Sequence, residues 1–375
     1  MTDTTEIVIV GGGVAGCSVA YYLSLAGVKC TIIEQQGIGS QASGFSAGGL
    51  NPLEGAGVPG PLSDVAMESY LLHKGLFPVL KESTGVDYQW RINSVVKVAF
   101  DDEELPELRE TFDSFTATSG FEADMLDSDQ LLDLEPRISP DVIGGVVTRG
   151  NASLDSYKYT LALVQAAEMN GASVRSGTVR GLESSNGRVT GVLLEGSVLH
   201  CDQLVMAIGP WSRIAEPWMG GYIPVDPLKG EILRVELPGD SLSHDISGGG
   251  GSVWPKPDGL VWCGGTEDWR GYDQSATESA RQRIVSGAVR LIPDMARARL
   301  VLHTACLRPV TPDWLPIIGR VPGLHNAYLA TGAGKKGILL SPAIGKAVAD
   351  QITQGETQLS VKDFEPARFA PPLIE

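Results

Sequence analysis

The sequence has no CxxC pair, no apolar run approaching the ~20 residues of a membrane span, only five histidines and a shortage of positive charge. Each scarcity excludes something. Cys17, Cys30, Cys201, Cys263 and Cys306 are an odd number at wide spacings, so neither a disulfide framework nor a zinc site is expected, and a reducing, cytoplasmic setting fits. No basic segment with a cleavage site precedes the first apolar run at Ile7, so no export is expected. Set against 45 Asp and Glu, 29 Lys and Arg leave a net charge of -16, which disfavours nucleic acid and anionic lipid as partners. What remains is a chain of 375 residues, 43% hydrophobic, with 46 glycines and 23 prolines: a loop-rich globular protein long enough for two lobes.

The first informative stretch is "EIVIVGGGVAGCSVAYYLSLAGVKCTIIEQ". Ile7 to Val10 is a β-branched run suited to a central parallel strand. Gly11, Gly13 and Gly16 then form G-x-G-x-x-G: a tight turn, a close backbone approach for a pyrophosphate, and close helix–strand packing. Val14 and Ala15 open a helix whose amides face the phosphates, and it closes at Gly27. A second strand, Cys30 to Ile33, delivers Glu34 and Gln35 to the ribose. With strand, helix, strand and acid in register, a dinucleotide is expected. Glu34 would repel a 2'-phosphate, which disfavours NADP and leaves NAD and FAD.

The next segment favours FAD. "GIGSQASGFSAGGLNP", from Gly37 to Pro52, is a small-residue tract where a nicotinamide dehydrogenase would begin its next βα unit. Ala42, Ser43, Ser46, Gly48, Gly49 and Leu50 suit close contact with a ribityl chain and the edge of an isoalloxazine ring. Further on, the periodicity predicts a helix over 61–84 and a strand beginning near Val86. An acidic amphipathic helix over 101–115 reads as a solvated face. From 144 a turn, a helix over 155–170 and two strands ending near Leu194 are expected, with Val179 near the dinucleotide. "QLVMAIGPWS" reads as a buried strand whose C-terminal edge brings Gly209 and Trp211 to the ligand. From 221 to 300 alternating strands predict a mostly antiparallel sheet, with Gly248 to Gly251 as a surface loop or a lid.

The last block, "LATGAGKKGILLSPAIG", repeats G-x-G-x-x-G at Gly332, Gly334 and Gly337 but lacks a following strand with an acid. It reads instead as a turn opening a helix, with Gly334, Lys335, Lys336, Gly337 and Ile338 against the flavin and the positive helix end stabilising negative charge. Together with "ASGFSAGGL", "LEP", "AIGPWS" and "LRPVTPDWLPIIG", this block resembles the FAD-dependent amine and amino-acid oxidoreductases, the family of D-amino-acid oxidase, glycine oxidase and sarcosine oxidase.

The resemblance implies an α/β fold, α+β in its second lobe: a Rossmann-like FAD-binding domain with an inserted, mostly antiparallel substrate-binding domain. The expected division is 1–84, 139–220 and 300–375 for FAD, and 85–138 and 221–299 for substrate. It also implies Arg308 as the anchor of a substrate carboxylate, with a guanidinium fork suited to bidentate binding. Lys336 falls where a second carboxylate-binding cation stands in sarcosine-oxidase-like members, and equally where a cation would favour reoxidation. Lys335 reads as the more solvated of the two. Ala333 replaces a histidine that many relatives carry. Cys306 stands where some members link flavin covalently, and the alternative is a small buried thiol.

The implied reaction is hydride transfer from the carbon of a small amino or N-alkylamino acid to flavin N5, followed by imine hydrolysis, with dioxygen or another acceptor taking the electrons. Two alternatives stay open: a FAD-dependent 2-hydroxy-acid dehydrogenase, which needs a base, and a non-catalytic flavin-bearing binding or assembly protein. Association into a homo-oligomer is compatible with the sequence.

Overall fold

The computed structural model describes residues 3–369, and the ends of the expected division, 1–2 and 370–375, lie outside the described residues. Two sheets organise the chain. In the first, strands Ala327–Thr331, Ser197–Met206, Thr4–Val10, Cys30–Glu34 and Ser173–Ser176 lie side by side and parallel. Ile7, Val8, Ile9 and Val10 are all buried, as a central strand covered on both faces requires. Antiparallel strands extend this sheet at Ile317–Arg320 and at Arg188–Leu194.

One face of this sheet carries helices Val14–Leu25, Ser156–Met169 and Gly337–Thr353, with Ser63–Thr84 packed outside them. The first and last helices meet so closely that a Cβ on Gly345 would sit 2.2 Å from Ser18 Oγ. Helix Ser156–Met169 is capped by Asp155, whose carboxylate accepts from Lys158 N. Among the described residues no helix is long and apolar enough to cross a membrane, and no group of three or more His, Cys, Asp or Glu side chains gathers as a metal site. All five cysteines are free and buried.

The second sheet runs Arg299–Val310, Asp226–Glu236, Val261–Gly264, Gly251–Pro255, Asp245–Gly248, Arg91–Ala99, Gly144–Ser153 and Gly49–Leu50, with Glu122–Asp127 also on Gly144–Ser153. Every pairing is antiparallel except that of Asp245–Gly248 with Arg91–Ala99.

Four expectations need correction. Residues 144–153, read as a turn, form a ten-residue strand of the second sheet. Gly145 belongs there because its bare Cα lets Lys97 O approach to 2.8 Å from where a Cβ would stand, so the glycines mark tight pairing rather than a turn. Strand Arg299–Val310 also pairs in the second sheet, so neither it nor Gly144–Ser153 follows the expected division. Gly248 to Gly251 are neither a loose loop nor a lid. Gly248 and Gly251 pair across a tight hairpin whose positive φ angles need glycine, and Gly251 rests on the backbone of Gly287. Finally, 173–194 holds three strands rather than two.

His73, fully buried on Ser63–Thr84, ties that helix to the start of the last one: its Nε2–H donates to Ile338 O at 2.9 Å. Burial pulls its pKa down to about 4 from 6.5. The folded state therefore holds it neutral while the unfolded chain takes up a proton below 6.5, so stability is lost as pH falls from about 6.5 to about 4. A depression of this size corresponds to on the order of 3 kcal/mol. Denaturant melts at pH 7 and pH 4.5 should show a smaller acid loss in His73→Gln than in the parent by about that amount. Equal acid losses would refute it.

Candidate active site

A cavity of about 860 Å³ opens at the C-terminal ends of the parallel strands and extends beneath the second sheet. This is where an open parallel sheet collects its ligand. At one end lie Gly11, Gly13, Val14 and Ala15 with Glu34 and Gln35. The helix that begins at Val14 has no acid in its first turn, and no side chain of its N-cap residue, Gly13, closes its end. Its amides and dipole thus face the cavity, a fit for a pyrophosphate. The Glu34 carboxylate accepts from Gly12 N at 2.7 Å and Gln36 N at 2.8 Å, which holds it beside the turn.

The middle of the cavity is a wall of small residues, Ala42, Ser43, Ser46, Gly48 and Gly49 among them. Ser43 Oγ accepts from Val14 N at 2.9 Å. Gly48 has φ +77, and a Cβ there would sit 1.9 Å from Leu154 O, so glycine is required. Lys256 Nζ donates to Ala47 O from behind. Val179, Gly209 and Trp211 line the cavity as expected, as do Gly334, Lys335, Gly337 and Ile338. The last helix likewise starts without an acid or a side-chain cap.

At the far end stand Cys306 and Arg308, from the edge strand Arg299–Val310. Arg308 Nη1 donates to Thr266 O at 2.9 Å. Its guanidinium lies over Gly230, where a Cβ would fall 2.1 Å from Nη1. Among the described residues no carboxylate comes within 4.0 Å of it, although guanidinium groups so enclosed ordinarily find one. Burial pushes the Cys306 thiol up, against the pull of Arg308, so its resting form is the neutral thiol, the poorer nucleophile.

Three residues of the expected set do not face the cavity. Gly16 sits behind it, and a Cβ there would lie 2.1 Å from Gly11 O, so its role is helix–strand approach. Leu50 is fully buried in the hydrophobic core. Lys336 turns away: its Nζ donates to Asn51 O at 2.9 Å and to Glu54 O, and burial pulls it down to about 8 against the attraction of Glu54. Its ammonium satisfies the carbonyls of the 51–54 segment. It is therefore neither a carboxylate anchor nor a cation beside the ring.

Several lining residues had gone unnoticed. Trp254 and Ile232 come from the second sheet, Trp218 and Ile214 from the segment after Gly209, Arg180 from the loop after Ser173–Ser176, and Glu267 from the loop after Val261–Gly264. Only Trp254 carried a local signal, the alternation of "SVWP".

A family model described as FAD dependent oxidoreductase matches residues 6–351. Glycine oxidase of Geobacillus kaustophilus is 28% identical over 372 residues, covering 98% of each chain. Hydrogen cyanide synthase subunit HcnC of Pseudomonas aeruginosa is 30% identical over 413 residues, covering 99% of this chain and 98% of its own. Among solved structures, the glycine oxidase of Geobacillus kaustophilus superposes with a TM-score of 0.92 at 26% identity, covering 99% of this chain and 100% of that one.

Proposed function

The chain belongs to the FAD-dependent oxidoreductase family, and from that premise we propose that it oxidises the carbon–nitrogen bond of a small amino or N-alkylamino acid. The observation that carries this reading is Arg308, a guanidinium in the cavity without a carboxylate partner among the described residues. A substrate carboxylate would complete it. The glycine oxidase of Geobacillus kaustophilus acts, by its name, on an amino acid, which agrees.

FAD would be held by the Gly11 to Gly13 turn, the helix amides after it and Glu34, with the small-residue wall and the second helix end along its length. When bound, it supplies the acceptor for the hydride that leaves the substrate carbon. The protein's part is to orient that carbon and to exclude water. Arg308 fixes the carboxylate, and the apolar faces of Trp254 and Ile232 shelter the end at which Arg308 stands. Among the described residues no histidine lines the cavity. Oxidation of a 2-hydroxy acid needs a base for the hydroxyl proton, whereas an amine that reacts as its neutral form needs none. The imine product is hydrolysed by water.

Anaerobic mixing of the holoprotein with glycine, sarcosine, D-amino acids, proline derivatives and 2-hydroxy acids tests this directly. Amino acids should bleach the yellow flavin and release ammonia or amine. Bleaching by hydroxy acids alone, or by none of the panel while dithionite succeeds, would overturn the reading. Readmitting air then separates dioxygen from another electron acceptor by the rate at which colour returns.

A further inference from the structure

Among the described residues only two carboxylates line the cavity, Glu34 at the nucleotide end and Glu267 at the other. Glu267 follows directly on Thr266, whose carbonyl accepts from Arg308 Nη1 at 2.9 Å. A hypothetical Cβ on Gly265 would lie 3.4 Å from Arg308 Nη2, so Gly265 and Thr266 both border the guanidinium. An anion that lines the same cavity therefore stands one residue along the chain from the carbonyl that holds the cation. We infer that Glu267 binds the amino group of the substrate, so that Arg308 and Glu267 together recognise a zwitterion, whose ammonium passes a proton to solvent before it reacts as the neutral amine. This rests on the amino-acid reading given above.

Two features prepare Glu267 for that task. Lys335, on the facing turn before the last helix, pairs with its Oε1, and no further partner of the carboxylate is found among the described residues. One oxygen is thus held while the other is left for a ligand N–H. Both side chains are half-exposed at the cavity, with 38% and 44% of their surface open, so their mutual attraction is weak enough to share with a third charge. The turn itself is rigidly seated. Lys229 and Asp268 exchange backbone bonds at 3.0 and 2.9 Å, and Thr266 Oγ1 accepts from Glu231 N at 3.1 Å. The fully buried Glu231 carboxylate takes both Thr277 N and Thr277 Oγ1, and buried Lys229 reaches Asp273 at 2.8 Å. Such anchoring at both ends of 266–277 fixes where Glu267 can point.

The recognition makes a distinct demand. A ligand that keeps the carboxylate but lacks the amine must use Arg308 alone. Sarcosine and acetate form such a pair, and both can be titrated against the flavin spectrum of the holoprotein, sarcosine anaerobically through flavin reduction. Glu267→Gln should raise the sarcosine dissociation constant about tenfold, the loss of one charge-assisted hydrogen bond, and leave that of acetate within about twofold. Glu267→Lys should weaken sarcosine further and tighten acetate. Lys335→Met, which frees the carboxylate without removing it, should leave sarcosine binding within about threefold of the parent. If sarcosine and acetate weaken together, or neither changes in Glu267→Gln and Glu267→Lys alike, the assignment is overturned while the amine-oxidation reading stands. If no amino acid of the panel perturbs or bleaches the flavin of the parent protein, both fall.

Discussion

Arg308→Ala should raise the amino-acid concentration needed for half-maximal flavin reduction by roughly 10- to 150-fold, the cost of deleting a charge-assisted hydrogen-bonded anchor. The reason lies in how the guanidinium is held. Gly230 leaves it a slot, Thr266 O takes one of its N–H groups, and its remaining donors have no carboxylate among the described residues. A truncated side chain removes the cation and leaves Thr266 O without its donor. Arg308→Lys should recover part of the loss, since an ammonium keeps the charge but cannot form the bidentate fork. FAD content should be unchanged, because the glycine turn and the small-residue wall hold the cofactor elsewhere in the cavity. Amines without a carboxylate discriminate: if their reduction is impaired as much as that of amino acids, Arg308 is structural.

The second large effect is expected at the opening turn, where neighbouring glycines should answer differently to the same substitution. A Cβ on Gly16 would sit 2.1 Å from Gly11 O, a backbone atom that cannot yield without moving the first strand or the first helix. Gly16→Ala should therefore destabilise the apoprotein by ~3 kcal/mol or more and abolish flavin retention. A Cβ on Gly13 would meet only the Ser43 hydroxyl, at 3.3 Å, and its φ of -77 suits alanine. Gly13→Ala should leave the apoprotein melt within about 1 kcal/mol of the parent yet weaken FAD binding at least tenfold, because the methyl group fills the approach of the pyrophosphate. Melting curves on stripped protein, alongside flavin fluorescence titrations, read both quantities. If Gly13→Ala binds FAD normally, the turn does not hold the phosphates.

These residues also mark what a reader of the sequence could and could not see. Gly11, Gly13, Gly16 and Glu34 are legible because the unit that makes them meaningful is local: strand, turn, helix and strand within thirty residues. The parallel sheet and its covering helices followed from the same periodicities. Arg308 was legible only through resemblance, since nothing local in "LRPV" tells a cavity arginine from a surface one. Lys336 was misassigned and Lys335 was not, because neighbouring residues of a single turn point in different directions. One side chain reaches the cavity rim and the other enters the 51–54 segment, which is decided by the backbone angles of that turn. Glu267 was out of reach for a third reason, and Trp254 was legible only as part of a strand: pairing across the second sheet carries both to the cavity, and no local pattern encodes that pairing. The strand at 144–153 was hidden by its glycines, whose purpose, close pairing with Arg91–Ala99, is likewise non-local.

The parallel sheet joins strands from the two ends of the chain, and this bears on how the protein is made. Thr4–Val10 has Ser197–Met206 as a neighbour, and that strand's other parallel partner is Ala327–Thr331, while helix Gly337–Thr353 covers the first helix. At ~5–20 residues per second a ribosome needs on the order of ten to forty seconds to go from the first of these strands to the second. Through that interval Ile7 to Val10 have Cys30–Glu34 on one side and lack Ser197–Met206 on the other. The nucleotide turn is thus made well before Ser197–Met206 and Ala327–Thr331, the strands that complete the floor of its cavity. The cavity lining runs from Val10 to Ile344, so its full set of contacts to a flavin exists only once the last helix has been made.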